Sequence, residues 1–371
     1  MRNSLAQTVL AEVTSERDLE RLTDLLSKLQ VLSRTKYDEY GGYMPGVKFI
    51  ESLATWLSCF DMADRSTALQ FVLRRLVFVS AAEMEHLVST VYQDILRPWF
   101  RAQAADQLGL PLWQVARIAA SQEFKAVQRR TLVLGMSDGA RLDRLRRASN
   151  MSTEQFHLDY VIDPEKAKEM QGTLEQALSK HSLSADATFK SVLVVDDFSG
   201  SGATMLRPDE AGGWKGKVPK ILKQVRMLQD LGVVAEDVQV TGLLYLMTKN
   251  AESTLRERLL AAGYADAFQL KAAYTFPEEF PLDSNRDGLF LDLCDKYFRE
   301  SWVTEATKVG GDDLRFGFGN SALPLVLQHN APNNAPPVLW KDDKADAERA
   351  AGDEPWTGVF PRHERHHPGR P

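Results

Sequence analysis

Residues 192–204 read VLVVDDFSGSGAT: four aliphatic residues, two adjacent acids, and a loop of small and hydroxyl-bearing side chains. The aliphatic run predicts a buried central strand, and Asp196 and Asp197 would emerge where that strand ends. Adjacent carboxylates repel each other unless hydroxyl donors or a divalent metal share their charge. The stretch therefore predicts a ligand site, and the plain alternative is a polar turn after a buried strand.

The loop that follows the acids is suited to an anion. Gly200 and Gly202 permit positive φ and a close approach of the backbone, so that several N–H groups can converge on one phosphate. The other loop residues that we expect at the site are Ser199, Ser201, Ala203 and Thr204. With the acids, the loop predicts a sugar phosphate whose hydroxyls meet the carboxylates and whose phosphate meets the backbone.

Three other motifs with similar parts do not fit this stretch. A P-loop requires GxxxxGK[ST], and the loop contains no lysine; a dinucleotide fingerprint requires GxGxxG, and GSGATM ends in Met205. A receiver domain also begins with a strand and paired acids. Its phospho-acceptor aspartate would end a later strand, however, and VQVTGLLYLMTKN (238–250) contains no aspartate.

The pattern along the chain predicts the fold class. Apolar runs that predict strands occur at 131–135, 156–162, 191–197, 238–247 and 266–276, and amphipathic stretches that predict helices occur at 164–181, 218–232, 250–263 and 289–302. This alternation predicts a doubly wound, mainly parallel α/β sheet within residues 126–340. Helical spacing without strand alternation predicts an N-terminal helical domain over 1–125. The charged, Pro-rich residues 341–371 predict a mostly disordered tail in which 355–362 docks locally.

Composition excludes several classes of protein. The 371 residues are 44% hydrophobic and 26% charged with a net charge of −6, which argues against a general nucleic-acid-binding or membrane-surface protein. No apolar run approaches the roughly 20 residues that span a bilayer. The two cysteines, Cys59 and Cys294, have no CxxC partner and predict no zinc site. Since acids occur early in the N-terminal segment, we expect a cytoplasmic protein without a signal peptide.

VLVVDDFSGSGAT resembles the phosphoribosyl pyrophosphate (PRPP) binding motif of the type I phosphoribosyltransferase fold, which has four hydrophobic residues, two acids and a small-residue loop ending G-x-T. The resemblance implies that Asp196 and Asp197 hold the ribose hydroxyls, that 199–204 cradles the 5-phosphate, and that Mg²⁺ accompanies the bound pyrophosphate. It also implies a pyrophosphate loop after the first strand. LVLGMSDGARLDR (132–144) places Ser137, Asp138 and Gly139 at that position.

The chain departs from the enzymes of that fold in two ways. Purine-salvage members carry an acid in the middle of the loop, facing the base, where this chain has Gly200; purine-base salvage is therefore in doubt. The loop also does not run directly into a helix. LRPDEAGGWKGK (206–217) intervenes, and it is either an exposed linker or a flexible lid that brings Arg207, Lys215 and Lys217 over phosphates.

A second polar cluster lies in QHNAPNNAPPVLW (328–340), after the predicted strand PLVLQ. Its polar side chains are those of His329, Asn330, Asn333 and Asn334. Asparagine amides both donate and accept, so the cluster is suited to reading a nucleobase edge, whereas Pro and Asn together are also typical of a structural turn. The stretch resembles HN-x-P-N-N-x-x-P-x-x-W in uncharacterised phosphoribosyltransferase-like proteins of prokaryotic conflict and anti-phage systems. We expect a hood that faces the acid pair.

Two function hypotheses follow. The first is transfer of a phosphoribosyl group from PRPP to an unknown acceptor with Mg²⁺, in anti-phage defence. The second is a PRPP or nucleotide sensor without turnover, or a regulatory subunit of a defence complex, to which a protein partner binds through the helical domain. The sequence assigns no catalytic residue and no protein-held metal site, and we expect neither a membrane nor general nucleic acid as a partner.

Overall fold

The computed structural model describes residues 3–14, 17–180, 186–303, 311, 313–343 and 355–362, with side chains from residue 8 onward. The chain forms two compact units. Unit 1 comprises Met1–Glu83 with Glu278–Pro371, and unit 2 comprises Met84–Pro277. No helix in the described ranges is long and apolar enough to cross a membrane.

Unit 2 begins with a run of helices and then has strands separated by helices, and helices predominate in unit 1. The helices are α1 Asn3–Thr14, α2 Leu19–Thr35, α3 Phe49–Ser58, α4 Arg65–Arg74, α5 Ala81–Val91, α6 Arg97–Leu108, α7 Val115–Ala120, α8 Gln122–Arg129, α9 Leu142–Ser149, α10 Pro164–Ser179, α11 Lys217–Asp230, α12 Lys249–Ala261 and α13 Ser284–Tyr297. The strands are β1 Val77–Val79, β2 Thr131–Gly135, β3 Phe156–His157, β4 Phe189–Ser199, β5 Arg207–Pro208, β6 Trp214–Lys215, β7 Val234–Thr248, β8 Phe268–Phe276 and β9 Leu325–Leu327.

Unit 2 is built on a parallel sheet with the strand order β3-β2-β4-β7-β8, which confirms the predicted α/β fold class. In chain order this arrangement is 2-1-3-4-5, so the direction of winding reverses between β2 and β4. Parallel doubly wound sheets bind ligands outside the carboxyl ends of the strands at such a reversal. The acid pair at the end of β4 therefore lies where the fold itself favours a ligand.

The central strand is buried on both faces, as its sequence predicts. Residues 192–195 of β4 have no exposed surface, and the helices bury apolar stripes against the sheet. In α11 the buried residues Val218, Ile221, Val225 and Leu228 recur at three- and four-residue intervals, which is the spacing of one helix face. Burying each such side chain stabilises the fold by about 1.5–3 kcal/mol. The packing of α11 therefore stabilises the sheet that carries the acid pair.

Unit 1 joins distant parts of the chain. Strand β1 lies within the region predicted to be helical, and it pairs in parallel with β9, so that Val77 opposes Leu325. This pairing ties the first 83 residues to the last third of the chain. The predicted boundary at 125/126 lies within unit 2, because α6 to α8 and most of α5 precede β2 in the same compact unit.

The predicted tail contains a packed segment. Trp356, Val359 and Phe360 are at most 1% exposed and belong to the aromatic core of unit 1, and Asp342 forms a bridge with Thr357. The expected docking of 355–362 is thus present, and the segment is a core component. Residues 344–354 and 363–371, which we expected to be disordered, lie outside the described residues.

Candidate functional site

The acid pair lies at the carboxyl end of the central strand, where the sheet reverses its winding. Asp196 is 4% exposed and Asp197 is 9% exposed, although both are charged residue types. A polar turn at the surface would leave such groups in water. Buried carboxylates are instead retained where partners or ligands compensate their loss of hydration.

Two donors from different segments engage the carboxylate of Asp196. The hydroxyl of Ser137, which follows β2, donates to Oδ1, and the ammonium of Lys217 donates to Oδ2 at 2.5 Å. Burial raises the pKa of Asp196 above its ordinary value, and the charge of Asp197 raises it further; Lys217 and Ser137 oppose this shift. Hydroxyl donors or a cation beside the pair would offset the repulsion between the two carboxylates.

Asp197 determines how the segment after β2 packs. A Cβ on Gly139 would lie 2.6 Å from the carboxyl carbon of Asp197, so that only glycine allows this approach. One oxygen of Asp197 accepts the N–H of Phe198 at 2.9 Å. The structure thus brings Ser137 and Gly139 against the acid pair, while Asp138 is exposed.

Tyr245 of β7 also contacts the segment that follows β2. Its hydroxyl donates to the carbonyl of Ala140 at 2.7 Å, and the residue is fully buried. Burial raises the pKa of Tyr245, and the nearby charge of Asp197 raises it further, so the phenol stays a donor. The sequence analysis missed this residue; its only signal is a hydroxyl-bearing aromatic within the apolar run LLYLM.

Two glycines of the loop 199–204 make close contacts with neighbouring residues. The hydroxyl of Thr248 donates to the carbonyl of Gly200 at 2.7 Å. Gly202 has φ +74°, and a Cβ there would meet Leu255 of α12 at 2.8 Å. Within the described part of the chain, the backbone N–H groups of Ser201, Gly202 and Thr204 donate no hydrogen bond. The loop is therefore a fixed backbone with donors available for an anion.

The insert after the loop is a small antiparallel hairpin of β5 and β6, in which Lys215 pairs with Asp209 at 2.5 Å. The hairpin returns the chain to the loop. The N–H groups of Lys217 and Val218, at the start of α11, donate to the carbonyls of Thr204 and Met205. The first donors of α11 are thus used by the loop, so the loop backbone rather than this helix end offers N–H groups to a ligand.

The cations of the insert take different roles in the structure. The guanidinium of Arg207 donates to the carbonyl of Ala203 at 3.2 Å, and Lys215 is held by Asp209. Lys217 alone among the three reaches an acid of the pair. The insert that the sequence left open as an exposed linker or a flexible lid is a folded hairpin, and its last residue contacts Asp196.

The cluster His329, Asn330, Asn333 and Asn334 lies in unit 1. Asn334 is 7% exposed, and its amide donates to the carbonyl of Phe318 at 2.9 Å and to the hydroxyl of Ser321 at 3.0 Å. The carbonyl of Asn333 accepts the N–H of Phe318. These bonds are typical of a structural turn, and the hood that faces Asp196 and Asp197 stays a prediction.

The donor set at the sheet edge is compatible with Mg²⁺. No group of three or more His, Cys, Asp or Glu side chains that could hold a metal occurs among the described residues. Magnesium in phosphate-binding proteins, however, is held by one or two carboxylates together with the phosphates of the substrate. Asp196 and Asp197 supply that number of carboxylates, and a cation would offset the burial and the mutual repulsion that raise the pKa of Asp196.

Comparison with known proteins identifies a family. The model of the PRTase-CE family matches residues 53–362, which include the acid pair, the loop, the hairpin and the 329–334 cluster. No curated protein and no solved structure matches the chain.

Proposed function

The chain belongs to the PRTase-CE family, a phosphoribosyltransferase-like family, and from this premise we propose that unit 2 binds PRPP and transfers its phosphoribosyl group to an acceptor. The observation that carries the proposal is the buried acid pair at the reversal of the sheet, beside a loop with available N–H donors. That combination suits a ligand with vicinal hydroxyls next to a phosphate.

In the proposed complex each part of the ligand meets one part of the site. The ribose hydroxyls donate to Asp196 and Asp197, and the 5-phosphate accepts N–H groups of the loop 199–204. The pyrophosphate lies against the segment 137–139 and the ammonium of Lys217. Mg²⁺, when bound with the pyrophosphate, supplies positive charge to the leaving group.

The proposed reaction is a substitution at C1 of the ribose. The bond from C1 to the pyrophosphate oxygen breaks, and its electron pair leaves on the pyrophosphate. The acceptor contributes a lone pair to the new bond at C1 and loses a proton to solvent. The site contributes by fixing the reactants and by placing the carboxylates of Asp196 and Asp197 near a ribose that becomes cationic.

A non-catalytic sensor is the second candidate function. Gly200 stands where related salvage enzymes carry an acid, and both oxygens of Asp196 already have partners in Ser137 and Lys217. A protein that reports the level of PRPP needs these binding groups and no acceptor. The resemblance of 329–340 to proteins of anti-phage systems supports a role of either kind in defence, with the helices of unit 1 as the surface for a protein partner.

Release of pyrophosphate distinguishes the two functions. Purified protein is mixed with PRPP, Mg²⁺ and a panel of nucleobases and nucleotides, and pyrophosphate is assayed while PRPP binding is measured by calorimetry. Acceptor-dependent pyrophosphate release supports the transferase. Binding without release supports the sensor, and absence of any heat with PRPP at millimolar concentration contradicts both. The control is Asp209→Asn, which changes an acid of the hairpin that does not belong to the pair.

A further inference from the structure

Unit 2 has a cavity beside the start of β2, at the opposite edge of the sheet from the acid pair. Its volume is about 440 Å³, within the range of small-molecule sites. The last turns of α8 and α10 line it, together with the segment 150–155 that follows α9. Thr131 begins β2 and pairs with Ser191 of β4; Asp196 lies about 17 Å further along β4, at about 3.3 Å per residue. The cavity is therefore separate from the acid pair.

Gln155 is a buried residue of this cavity and fixes its walls relative to one another. It is 2% exposed, and its amide donates to the carbonyls of Gln128 and Thr131 at 2.8 Å and 2.7 Å. Its side-chain oxygen accepts the N–H of Ser152 at 3.2 Å. These bonds join the end of α8, the start of β2 and the segment 150–155. The cavity is thus a preorganised site, which lowers the cost of ordering on binding.

Positive charge predominates in the cavity. Its ionisable residues are three bases and one acid, an excess of two positive charges: Lys125, Arg129, Lys180 and Glu154. The side chain of Arg129 is 15% exposed, and its ion pair with Glu154 spans 3.8 Å, which is too long for a hydrogen bond. Burial lowers the pKa of Arg129, and Glu154 offsets this effect only in part. An anion in the cavity would stabilise the charge of this guanidinium.

A structural role at helix ends explains these cations only in part. Lysines and arginines near the carboxyl ends of helices commonly compensate the helix dipole and bond to the last carbonyls. Arg129 is the last residue of α8, and Lys180 directly follows α10. Within the described ranges, however, the cationic groups of Lys125, Arg129 and Lys180 donate no hydrogen bond. A role at the helix ends therefore leaves their N–H groups available to a ligand.

Another cavity of similar size in unit 2 lacks this excess of positive charge. It has a volume of about 450 Å³ and lies beside β8, where its ionisable residues are Asp94, Glu252, Arg256 and Lys271. Glu252 pairs with Arg256 at 2.9 Å, and the ammonium of Lys271 lies 5.9 Å from the ring centroid of Trp99. Its charges are balanced, so it offers no comparable attraction to an anion.

We propose that the cavity at Arg129 is a second ligand site, and that it binds a phosphate monoester of about the size of a nucleoside monophosphate. A phosphate monoester carries a charge of about −1.5 to −2 at pH 7, which matches the excess of two positive charges. Its oxygens accept from the guanidinium of Arg129 and from the ammonium groups of Lys125 and Lys180. The side-chain amides of Asn150 and Gln176, which also line the cavity, can donate to and accept from the rest of the ligand.

The test compares charge reversals inside and outside the cavity. AMP, GMP, CMP and UMP, and the nucleosides that lack the phosphate, are titrated into the full chain by calorimetry in the presence of EDTA. The cavity variant is Lys125→Glu with Lys180→Glu, since both lysines are exposed and the fold should be kept. The matched control is Lys168→Glu with Lys223→Glu, which changes the net charge equally at exposed lysines that do not line the cavity. Circular dichroism checks the fold of each variant.

We expect at least one nucleotide to show a binding step that the cavity variant weakens about tenfold or more, because two charge-assisted contacts are lost. The control variant should keep this step, and so should Asp196→Asn combined with Asp197→Asn, which shows that it does not occur at the acid pair. The matching nucleoside should not show it. The inference is overturned if no nucleotide step is weakened in the cavity variant, or if the control variant weakens it equally. Titration of PRPP with Mg²⁺ tests the proposed function separately, because failure of PRPP to bind would not affect a nucleotide step that depends on Lys125 and Lys180.

Discussion

The ammonium of Lys217 lies 2.5 Å from a carboxylate oxygen of Asp196 at the carboxyl end of the central strand. Lys217 is the first residue of α11, and it reaches this acid because the hairpin of β5 and β6 returns the chain to the loop. The side chain of Asp196 is 6% exposed and that of Lys217 is 20% exposed, so water screens the pair only in part. The hairpin thus supplies the site with a cation.

Lys217→Met should destabilise the protein by about 1–3 kcal/mol, because it leaves the buried carboxylate of Asp196 without its cation. The measurement is urea unfolding at pH 7. Lys215→Met is the matched control, since it removes a lysine from an exposed ion pair of the same hairpin and should leave the unfolding midpoint unchanged. Equal effects of the two substitutions would show that the Lys217–Asp196 pair has no stabilising role.

The pH dependence of stability should report the burial of Asp196. Its pKa is raised in the folded state, so the folded protein binds this proton more tightly than the unfolded chain. The contribution of this group is therefore greatest below the unfolded pKa of about 4 and is lost as the pH rises through the folded pKa. We expect Asp196→Asn to gain stability relative to the wild type as the pH rises above 4, in unfolding curves measured with EDTA. A difference that shrinks with rising pH would contradict this.

Ligand affinity should depend on both acids of the pair. Asp196→Asn combined with Asp197→Asn should weaken binding of PRPP by about 2–4 kcal/mol, because two charge-assisted hydrogen bonds to the ribose are lost. Calorimetry with Mg²⁺ measures the affinity, and circular dichroism checks the fold. If a folded double variant binds PRPP as the wild type does, the acids have a structural role only.

Gly139→Ala should disturb the acid pair directly, because the added Cβ overlaps the carboxyl group of Asp197. We expect a loss of about 1–3 kcal/mol in unfolding free energy. The same substitution should cost much less in an Asp197→Ala background, where the overlapping group is absent, so a double-mutant cycle isolates the contact. Gly213→Ala is the control, since a Cβ there meets nothing within 4 Å. Additive effects of the two substitutions would refute the contact.

The segment 355–362 should be necessary for the stability of unit 1. Trp356→Ala should cost about 3–5 kcal/mol, because the indole is 1% exposed and donates its N–H to the carbonyl of Val338 at 3.1 Å. Thermal unfolding measures the loss, and Leu19→Ala, at a position that is 69% exposed, is the control. A melting temperature close to that of the wild type would show that the segment is dispensable.

The sequence alone determined the parts of this protein that depend on local chemistry. The aliphatic run 192–195 can be stable only in the interior, and the alternation of apolar runs with amphipathic stretches leads to a parallel α/β sheet. The acids at the carboxyl end of β4 and the glycines that follow the strand were predicted as site residues because a strand end and a flexible backbone are properties of a few neighbouring residues. Apolar side chains at helical spacing likewise identified α11.

Tertiary structure decided which distant residues meet. Ser137 reaches Asp196 across 59 positions, β1 pairs with β9 across about 250, and Trp356 packs into a core that begins near the other end of the chain. Such contacts depend on the directions in which crossovers and hairpins return the chain, and no local pattern specifies these directions. For the same reason, the role of the insert that contains Lys217 could not be decided from the sequence. The folded structure shows that Lys217 is the counter-ion of Asp196.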